Sequence, residues 1–240
     1  PQRDPGSMLT FFVPYIVMIL FYIIILSTST LMLNSVTNEK TNRVIEILLT
    51  SITPLQLLGG KIIALMLAGL IQTAVWIGSV LVLLRLSGRV FSIPPEFQLP
   101  PSFLFWSVVF FLGGYMLYAS LMASVGALVS NVKEASQVTM IIILPQVIPM
   151  MFLVPIIQEP NSALTVTLSL IPFTSPATMM TRLAAGTVPL WQLLLAVALL
   201  AVTVYWLIKV SASLFKAQYL LSGSDLKIGH FLKLVSGKQP

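Results

Sequence analysis

Long apolar runs separated by short polar segments make up most of this 240-residue chain. An α-helix rises about 1.5 Å per residue, so about 20 apolar residues cross the hydrocarbon core of a bilayer. Five runs reach that length and contain very few charged residues. The pattern predicts five membrane-spanning helices, over residues 11–33, 57–84, 103–129, 137–157 and 190–214.

A sixth apolar run, residues 162–186, is interrupted by Pro172 and Pro176. Proline lacks a backbone donor and disfavours helix in the residue before it. We therefore expect two short helices that enter the membrane and return, a re-entrant hairpin that also carries Arg182. Irregular backbone at that depth has to lie against protein or water.

The polar segment between the first two runs has a helical periodicity of its own. Glu39, Arg43 and Glu46 are spaced four and three residues apart and would share one face. A Glu39–Arg43 pair is worth only roughly 0.3–0.5 kcal/mol when exposed, so packing has to hold such a helix. We predict an amphipathic helix over residues 37–52 that Pro54 ends. On pattern alone, a solvated turn lying on lipid headgroups is an equal alternative. The opposite, apolar face would consist of Ile45, Leu48, Leu49 and Ile52.

Composition agrees with a membrane protein. Hydrophobic residues make up 57% of the chain and charged residues 8%, whereas soluble domains carry about 25% charged residues. The net charge of +6 comes from few residues, and we interpret it as topology and lipid-surface charge rather than as a nucleic-acid site. The chain has no cysteine, which excludes disulfides, thiolate metal sites and thiol catalysis.

Lysine and arginine positions predict the orientation. Positive charge favours the cytosolic side. If the 162–186 segment does not cross, the tail lysines share that side with the basic residues of the first and third loops, and Arg85, Arg89 and Arg182 lie outside. The basic residues on the cytosolic side are then Lys40, Arg43, Lys61, Lys133, Lys216, Lys227, Lys233 and Lys238. The amino end would then be extracytoplasmic and the carboxyl end cytosolic, in a multi-pass protein of the cell inner (plasma) membrane. An extracytoplasmic amino end implies an earlier span, so residues 1–240 would form a single domain at the carboxyl-terminal part of a longer protein.

The predicted spans contain no Asp, Glu or His. Proton-coupled transporters and intramembrane enzymes rely on such groups, and neither H-E-x-x-H nor G-x-S-x-G occurs. We therefore predict neither enzyme activity nor a metal site. The string around Lys61 lacks the first glycine and the hydroxyl of a phosphate-binding loop, so we expect Lys61 to be an anchor at headgroup level.

Polar residues within the spans are candidates for lining a pathway. Interhelical hydrogen bonding is the favoured alternative for each of them. Ala119, Ala123 and Ala127 recur every fourth residue beside Gly126, a stripe that permits close helix approach within the chain or between two copies. The candidate pathway residues are Gln72, Tyr115, Tyr118 and Gln146.

Two segments carry a resemblance to a known family. Glu39–Lys61 contains an acidic-basic cluster, a glutamate before two leucines, a hydroxyl residue, a proline and a final Gly-Lys. It resembles the cytosolic loop of type-2 ATP-binding-cassette (ABC) exporter permeases, in particular the sodium-export and multidrug branch. Pro172–Gly186 is similar to the extracellular re-entrant segment of that family. The residues that carry the first match are Glu39, Lys40, Arg43, Glu46, Leu48, Leu49, Ser51, Pro54, Gly60 and Lys61.

The resemblance implies a permease subunit that moves sodium, a drug, a peptide or a lipid out of the cytosol. ATP and Mg²⁺ would bind a separate ABC subunit, and this chain would hold no cofactor. The permease would pair with a second copy, identical or not. The implied fold is an all-α integral membrane protein with five transmembrane helices, a re-entrant hairpin and a cytosolic coupling helix. The implied contacts with the ATPase are Glu39, Lys40, Arg43, Glu46 and Leu49.

Two other classes remain open from the sequence. One is a membrane scaffold or assembly protein without transport activity, and the other is a fragment of an ion-coupled secondary transporter. The first could use the same polar loop for binding a partner. The second would need a titratable group in an amino-terminal portion outside these 240 residues, because the predicted spans contain no Asp, Glu or His.

The predicted orientation can be tested with reporter fusions. Alkaline phosphatase, active only outside the cytosol, should be inactive when fused after Pro240 and active when inserted in the loop between the second and third spans. Green fluorescent protein at the same two positions should give the reverse pattern. Phosphatase activity after Pro240 would contradict the predicted orientation.

Overall fold

The computed structural model describes residues 8–42, 44–48, 50–86, 102–129 and 132–220. Within these ranges every regular element is an α-helix, which confirms the all-α class. The loop of residues 87–101 and both terminal segments lie outside the described residues. Five helices are long and apolar enough to cross a membrane, over Phe11–Thr41, Pro54–Val75, Phe103–Leu128, Lys133–Met151 and Leu190–Ala217.

The first helix, α1 (Met8–Thr41), is longer than the predicted span. Its 34 residues extend about 50 Å, well beyond a hydrocarbon core of about 30 Å. Hydroxyl side chains do not interrupt it, because they donate to the carbonyl four residues earlier, as Thr28 does to Ile24 at 2.7 Å.

The structure does not contain the single separate helix that we predicted over residues 37–52. The residues up to Thr41 end α1, and α2 covers only Val44–Leu48.

Helix α3 (Pro54–Leu86) begins at the proline that was expected to end the loop helix. Proline suits the first helical position because its missing donor would be unpaired there anyway. The preceding Thr53 forms a reciprocal cap with Gln56. The Thr53 amide donates to Gln56 Oε1 at 2.9 Å, and the Gln56 amide donates to Thr53 Oγ1 at 3.3 Å. This capping box fixes the point where the chain re-enters the bundle.

Helix α4 (Phe103–Leu128) lies at the centre of the bundle and packs against α1, α3 and later helices. Ala119, Ala123 and Ala127 are buried within the chain, so the small-residue stripe serves packing inside this chain. Gly126 touches α1 so closely that a Cβ there would lie 2.8 Å from Val36.

The proline-rich fourth run forms two helices, α5 (Val132–Met151) and α6 (Leu153–Gln158). Pro145 and Pro149 lie inside α5, and the helix ends shortly after the second of them. The predicted span 137–157 was therefore wrong at its end. The chain turns at Phe152, whose amide donates to the Pro149 carbonyl at 3.2 Å.

Two short helices, α7 (Ala163–Leu170) and α8 (Ser175–Ala185), precede the last long helix. The last long helix is α9 (Leu190–Leu220). The break between α7 and α8 falls at Pro172, as the sequence predicted. Every residue of α8 from Ser175 to Ala184 is buried, and α8 packs against α1, α4, α6 and α7.

Close contact between α4 and α8 predicts an effect of substitution at Gly114. A Cβ there would lie 2.8 Å from both Ile25 and the rigid ring of Pro176. Gly114→Ala should lower the free energy of unfolding by about 1–3 kcal/mol through overpacking. The matched control is Gly60→Ala, because nothing lies within 4 Å of a Cβ at Gly60. Thermal unfolding of detergent-purified protein should rank Gly60→Ala at or above the unaltered chain, and equal stability of the two variants would contradict this packing.

Candidate functional site

Polar side chains at the end of α1 and the start of α3 form a cluster that we call the clasp, consisting of Ser35, Glu39, Lys40 and Lys61. Lys61 forms an ion pair with Glu39 and donates to Ser35 Oγ at 3.0 Å. Ser35 Oγ in turn donates to Glu39 Oε1 at 3.1 Å. The clasp therefore joins α1 to α3. These two helices flank the loop of residues 42–53, which contains α2 and which we call the α2 loop.

Lys40 of the clasp joins α1 to α4. Its Nζ donates to the carbonyls of Ala127 at 2.8 Å and Val129 at 2.7 Å. Carbonyls at a helix carboxyl end have no partner within the helix and carry its negative dipole. A lysine is well suited to bind them. The Glu134 carboxylate at the start of α5 adds a favourable electrostatic interaction with Lys40.

The clasp bears on two predictions. Lys61 is paired with Glu39 and its side chain is 14% exposed, while its depth relative to the lipid headgroups stays a prediction. Glu39 pairs with Lys61 of α3, while Arg43, its predicted partner, lies outside the described residues. Of the five predicted ATPase contacts, Glu39 and Lys40 belong to the clasp. Leu49 and the side chain of Glu46 are, like Arg43, outside the described residues.

The loop of residues 42–53 presents apolar side chains next to the clasp. Ile47 of α2 is 71% exposed, and Val44 and Ile52 are also exposed. Leu55, in the first turn of α3, is 55% exposed. Because α1 is about 20 Å longer than a hydrocarbon core, this apolar surface lies at the end of a helical extension.

Arg182 of α8 occupies a second polar region, which we call the arginine site. Its side chain is 0% exposed. Nε donates to the Pro160 carbonyl at 2.6 Å, and Nη1 donates to Ser169 Oγ at 2.6 Å. Nη2 donates to Asn161 Oδ1 at 3.2 Å and to Gln192 Oε1 at 2.7 Å. The guanidinium therefore links α8 to the segment before α7, to α7 itself and to α9.

All four oxygen acceptors of Arg182 are neutral. Burial lowers the pKa of the guanidinium from its usual value, but arginine remains protonated in proteins. The sequence predicts Arg182 on the extracytoplasmic side, and that orientation stays a prediction. The structure adds that the guanidinium is buried and bonded to α7 and α9, a role that no sequence spacing indicates.

The other hairpin residues are also fixed by the spans. The Tyr118 hydroxyl of α4 donates to the Phe173 carbonyl at 2.8 Å, and Thr174 Oγ1 donates to the Leu168 carbonyl. Pro172 is half-buried between the two helices, and Pro176 is buried at the start of α8. The turn between α7 and α8 is therefore hydrogen-bonded both to itself and to the central helix.

The candidate pathway residues differ in their exposure and in their hydrogen bonding. Tyr115, Tyr118 and Gln146 are buried, whereas Gln72 is half-buried. Tyr118 donates to the turn between α7 and α8 rather than to another helix. The Tyr115 hydroxyl and Gln146 Oε1 have no hydrogen-bond partner among the described residues. A cavity of about 300 Å³ between α4 and α9 is lined by other residues, almost all of them apolar.

Serines between α4 and α9 are an interaction that the sequence analysis missed. Ser211 Oγ donates to the Ser120 carbonyl at 2.8 Å and lies 2.7 Å from Ser124 Oγ. Serine in apolar helices commonly bridges helices in this way, so their positions could have suggested it. Among the described residues, no three of His, Asp and Glu come together as a metal site.

Comparison with known proteins places the chain in a family. Residues 4–209 match the family model described as ABC-2 family transporter protein. This chain belongs to the ABC-2 transporter family. No solved structure matches it at a significant level.

Two curated relatives are similar along most of the chain. The chain is 30% identical to the uncharacterized protein MJ1024 of Methanocaldococcus jannaschii over 219 residues, which cover 91% of this chain and 52% of the relative. It is 27% identical to the uncharacterized protein YhaP of Bacillus subtilis over 217 residues, covering 88% and 52% respectively. The chain thus spans about half the length of both relatives, and neither name states a function.

The arginine site predicts a large effect of conservative substitution. Arg182→Lys should lower the free energy of unfolding by about 2–4 kcal/mol, because an ammonium has three donors and leaves buried oxygens unpaired. Arg182→Met should be at least as destabilising. Lys216→Met removes an exposed charge in α9 and is the control. Thermal unfolding in detergent measures all three. Stability of Arg182→Lys equal to that of the control would contradict the described hydrogen bonds.

Proposed function

We propose that this chain is the membrane-spanning permease part of an ABC exporter whose ATP is hydrolysed by a separate subunit. Membership of the ABC-2 transporter family is the observation that carries the proposal. Members of this family are membrane components of transporters rather than enzymes. ATP and Mg²⁺ would bind the partner subunit, and this chain would move the substrate.

The proposed docking site for the ATPase is the α2 loop. Its exposed apolar side chains, Ile47 above all, extend from the bundle on the long end of α1. Exposed apolar groups surrounded by polar residues are typical of a protein contact. The short α2 would fit a groove of the ATPase, and Arg43 and Glu46 would add charged contacts at its edge.

The clustering of lysines supports a cytosolic position for this loop. Contacts of the clasp bring Lys40, Lys61 and the carboxyl end of α4 to one end of the bundle. Lys133 lies in the first turn of α5, shortly after the end of α4. The Ser124–Ser211 contact brings the second half of α9 beside the carboxyl-terminal part of α4. Positive charge near the ends of spans favours the cytosolic side, so this end would face the cytosol.

Three observations, the helix lengths and two contacts, support a re-entrant hairpin formed by α7 and α8 at the opposite, extracytoplasmic end. The two helices have 8 and 11 residues, too few to cross about 30 Å of hydrocarbon. The ends of the segment meet, because a Cβ at Gly186 would lie 3.3 Å from Pro160. The turn reaches Tyr118, about four helical turns into α4. The hairpin would thus close the outer mouth of the pathway.

The sodium-export and multidrug branch is proposed on the loop sequence Glu39–Lys61. Sodium, drugs, peptides and lipids are the substrates that this resemblance implies. A second permease copy, identical or related, would complete the pathway. The unpartnered polar atoms of Tyr115 and Gln146 are the buried groups that we assign to its lining.

Co-purification tests the proposed function. The gene for an ATP-binding ABC subunit next to the gene of this protein should encode a polypeptide that co-purifies with the full-length protein. Ile47→Asp should reduce recovery of that subunit by at least about tenfold, the effect expected for a central apolar contact. Arg43→Glu and Glu46→Lys should act in the same direction.

The control for this experiment is Lys133→Ala, an exposed residue outside the loop. It should leave the recovery of the ATPase subunit unchanged. A full-length protein that binds a partner without ATP-binding motifs through this loop would favour the scaffold class instead. Unchanged recovery with Ile47→Asp would contradict α2 as the docking site.

A further inference from the structure

Glu39 and Lys40 have opposite charges at adjacent positions, and both are engaged within the chain. Glu39 is paired with Lys61 of α3. Lys40 binds two carbonyls at the end of α4. A side chain that already makes such bonds would have to break them in order to bind another protein. These contacts therefore indicate a role inside the permease rather than on its docking surface.

The contact that Lys40 makes with α4 is reinforced one turn earlier along α1. Gly126 of α4 allows the backbones of α1 and α4 to approach, since a Cβ there would lie 2.8 Å from Val36 and 3.3 Å from Thr37. Val36 and Thr37 are fully buried, or nearly so. Apolar packing and charged hydrogen bonds thus fix α1 to α4 at successive turns, and hydrogen bonds with one charged partner are roughly twice as strong as neutral ones.

The contact between α1 and α3 closes the base of the loop. Lys61 binds Ser35 and Glu39, which lie one turn apart on α1. The capping box of Thr53 and Gln56 holds the start of α3. The α2 loop therefore leaves and re-enters the bundle through two helices that are bonded to each other.

We infer that the clasp makes the cytosolic ends of α1, α3 and α4 one rigid body, with Glu39, Lys40 and Lys61 as positioning residues. The inference rests on the proposed function. A displacement of the α2 loop by the ATPase is then delivered to α4 rather than absorbed by bending of the loop. Because α4 contacts α8 and α9, and Tyr118 binds the hairpin turn, the same displacement reaches the outer end of the bundle.

Spin labels can test whether the loop and α4 move together. The 240 residues contain no cysteine, so Thr50→Cys and Leu128→Cys provide two defined label positions within them, both exposed, once any cysteine elsewhere in the complex is replaced by serine. Electron–electron distances are measured in the full-length protein bound to its ATPase subunit, nucleotide-free and trapped with ADP and vanadate. A rigid body predicts the same narrow distance distribution in both states.

Breaking the clasp should uncouple the two labels. In Lys40→Met the distance should shift or broaden between the two nucleotide states, while the ATPase subunit still co-purifies. Lys40→Arg keeps the charge and the donors and should behave like the unaltered protein. Lys133→Met removes an exposed charge near the same end and is the matched control. Destabilisation alone would broaden the distribution in both states equally and so would not give the nucleotide dependence.

The Glu39–Lys61 pair provides an independent test through charge exchange. Glu39→Lys and Lys61→Glu should each make the distance nucleotide-dependent, and the double variant should restore the narrow distribution, since only the exchange rebuilds the pair. This arm also decides the matter if Lys40→Met does not fold.

The outcomes separate the inference from the proposed function. If no ATPase subunit binds the unaltered protein, the proposed function fails and the inference fails with it. If the subunit binds but the distance varies with nucleotide in the unaltered protein, the inference alone is overturned. A distance that stays constant in Lys40→Met and in both single charge variants overturns it equally.

Discussion

Close approach of other helices to α4 is the constraint on which the rest of this structure depends. Glycine and alanine at successive turns of α4 leave room for the side chains of α1 and α8, and a methyl group at Gly114 or Gly126 would overlap them. Interior membrane helices have no hydrophobic drive to associate, so packing and interhelical hydrogen bonds hold them together. In this chain both kinds of contact converge on α4, through Lys40, Tyr118 and Ser120.

The charged residues follow the same logic at the two ends of the bundle. At one end, Lys40 binds free carbonyls and Lys61 is paired with a glutamate. At the other end, Arg182 donates to four neutral oxygens of the residues around it. Burying a charge is costly unless hydrogen bonds replace its hydration. Both sites meet that requirement, and each joins at least three segments of chain in doing so.

The sequence could predict what depends on local pattern. Apolar run length identified the five spans, and the two prolines identified the break between α7 and α8. It could not predict that α1 continues to Thr41, because polar residues there were assigned to a separate helix. The contacts of Lys40 with residues 127 and 129, and of Arg182 with residues 160 and 192, join positions that are distant along the chain or in separate elements. No periodicity reports such pairs.

The contrast between local pattern and long-range contacts also affects the interpretation of the predicted ATPase contacts. A charged helical segment resembling a family's coupling loop could not distinguish residues that face the partner from residues that hold the loop in place. The bonds that Glu39 and Lys40 form within the chain are the basis on which we propose that they hold the loop in place. The exposed Ile47 and Leu55 were not among the predicted contacts, because the exposure of an apolar side chain depends on the tertiary structure and cannot be read from the sequence.

A cryo-electron microscopy structure of the full-length protein bound to an ATP-binding subunit would show which residues contact the ATPase. We predict that α2 lies against the ATPase with Ile47 buried in the interface, while Glu39, Lys40 and Lys61 keep their bonds inside the permease. An ATPase bound at another surface, or one contacted by Glu39 and Lys40 with the clasp open, would contradict it.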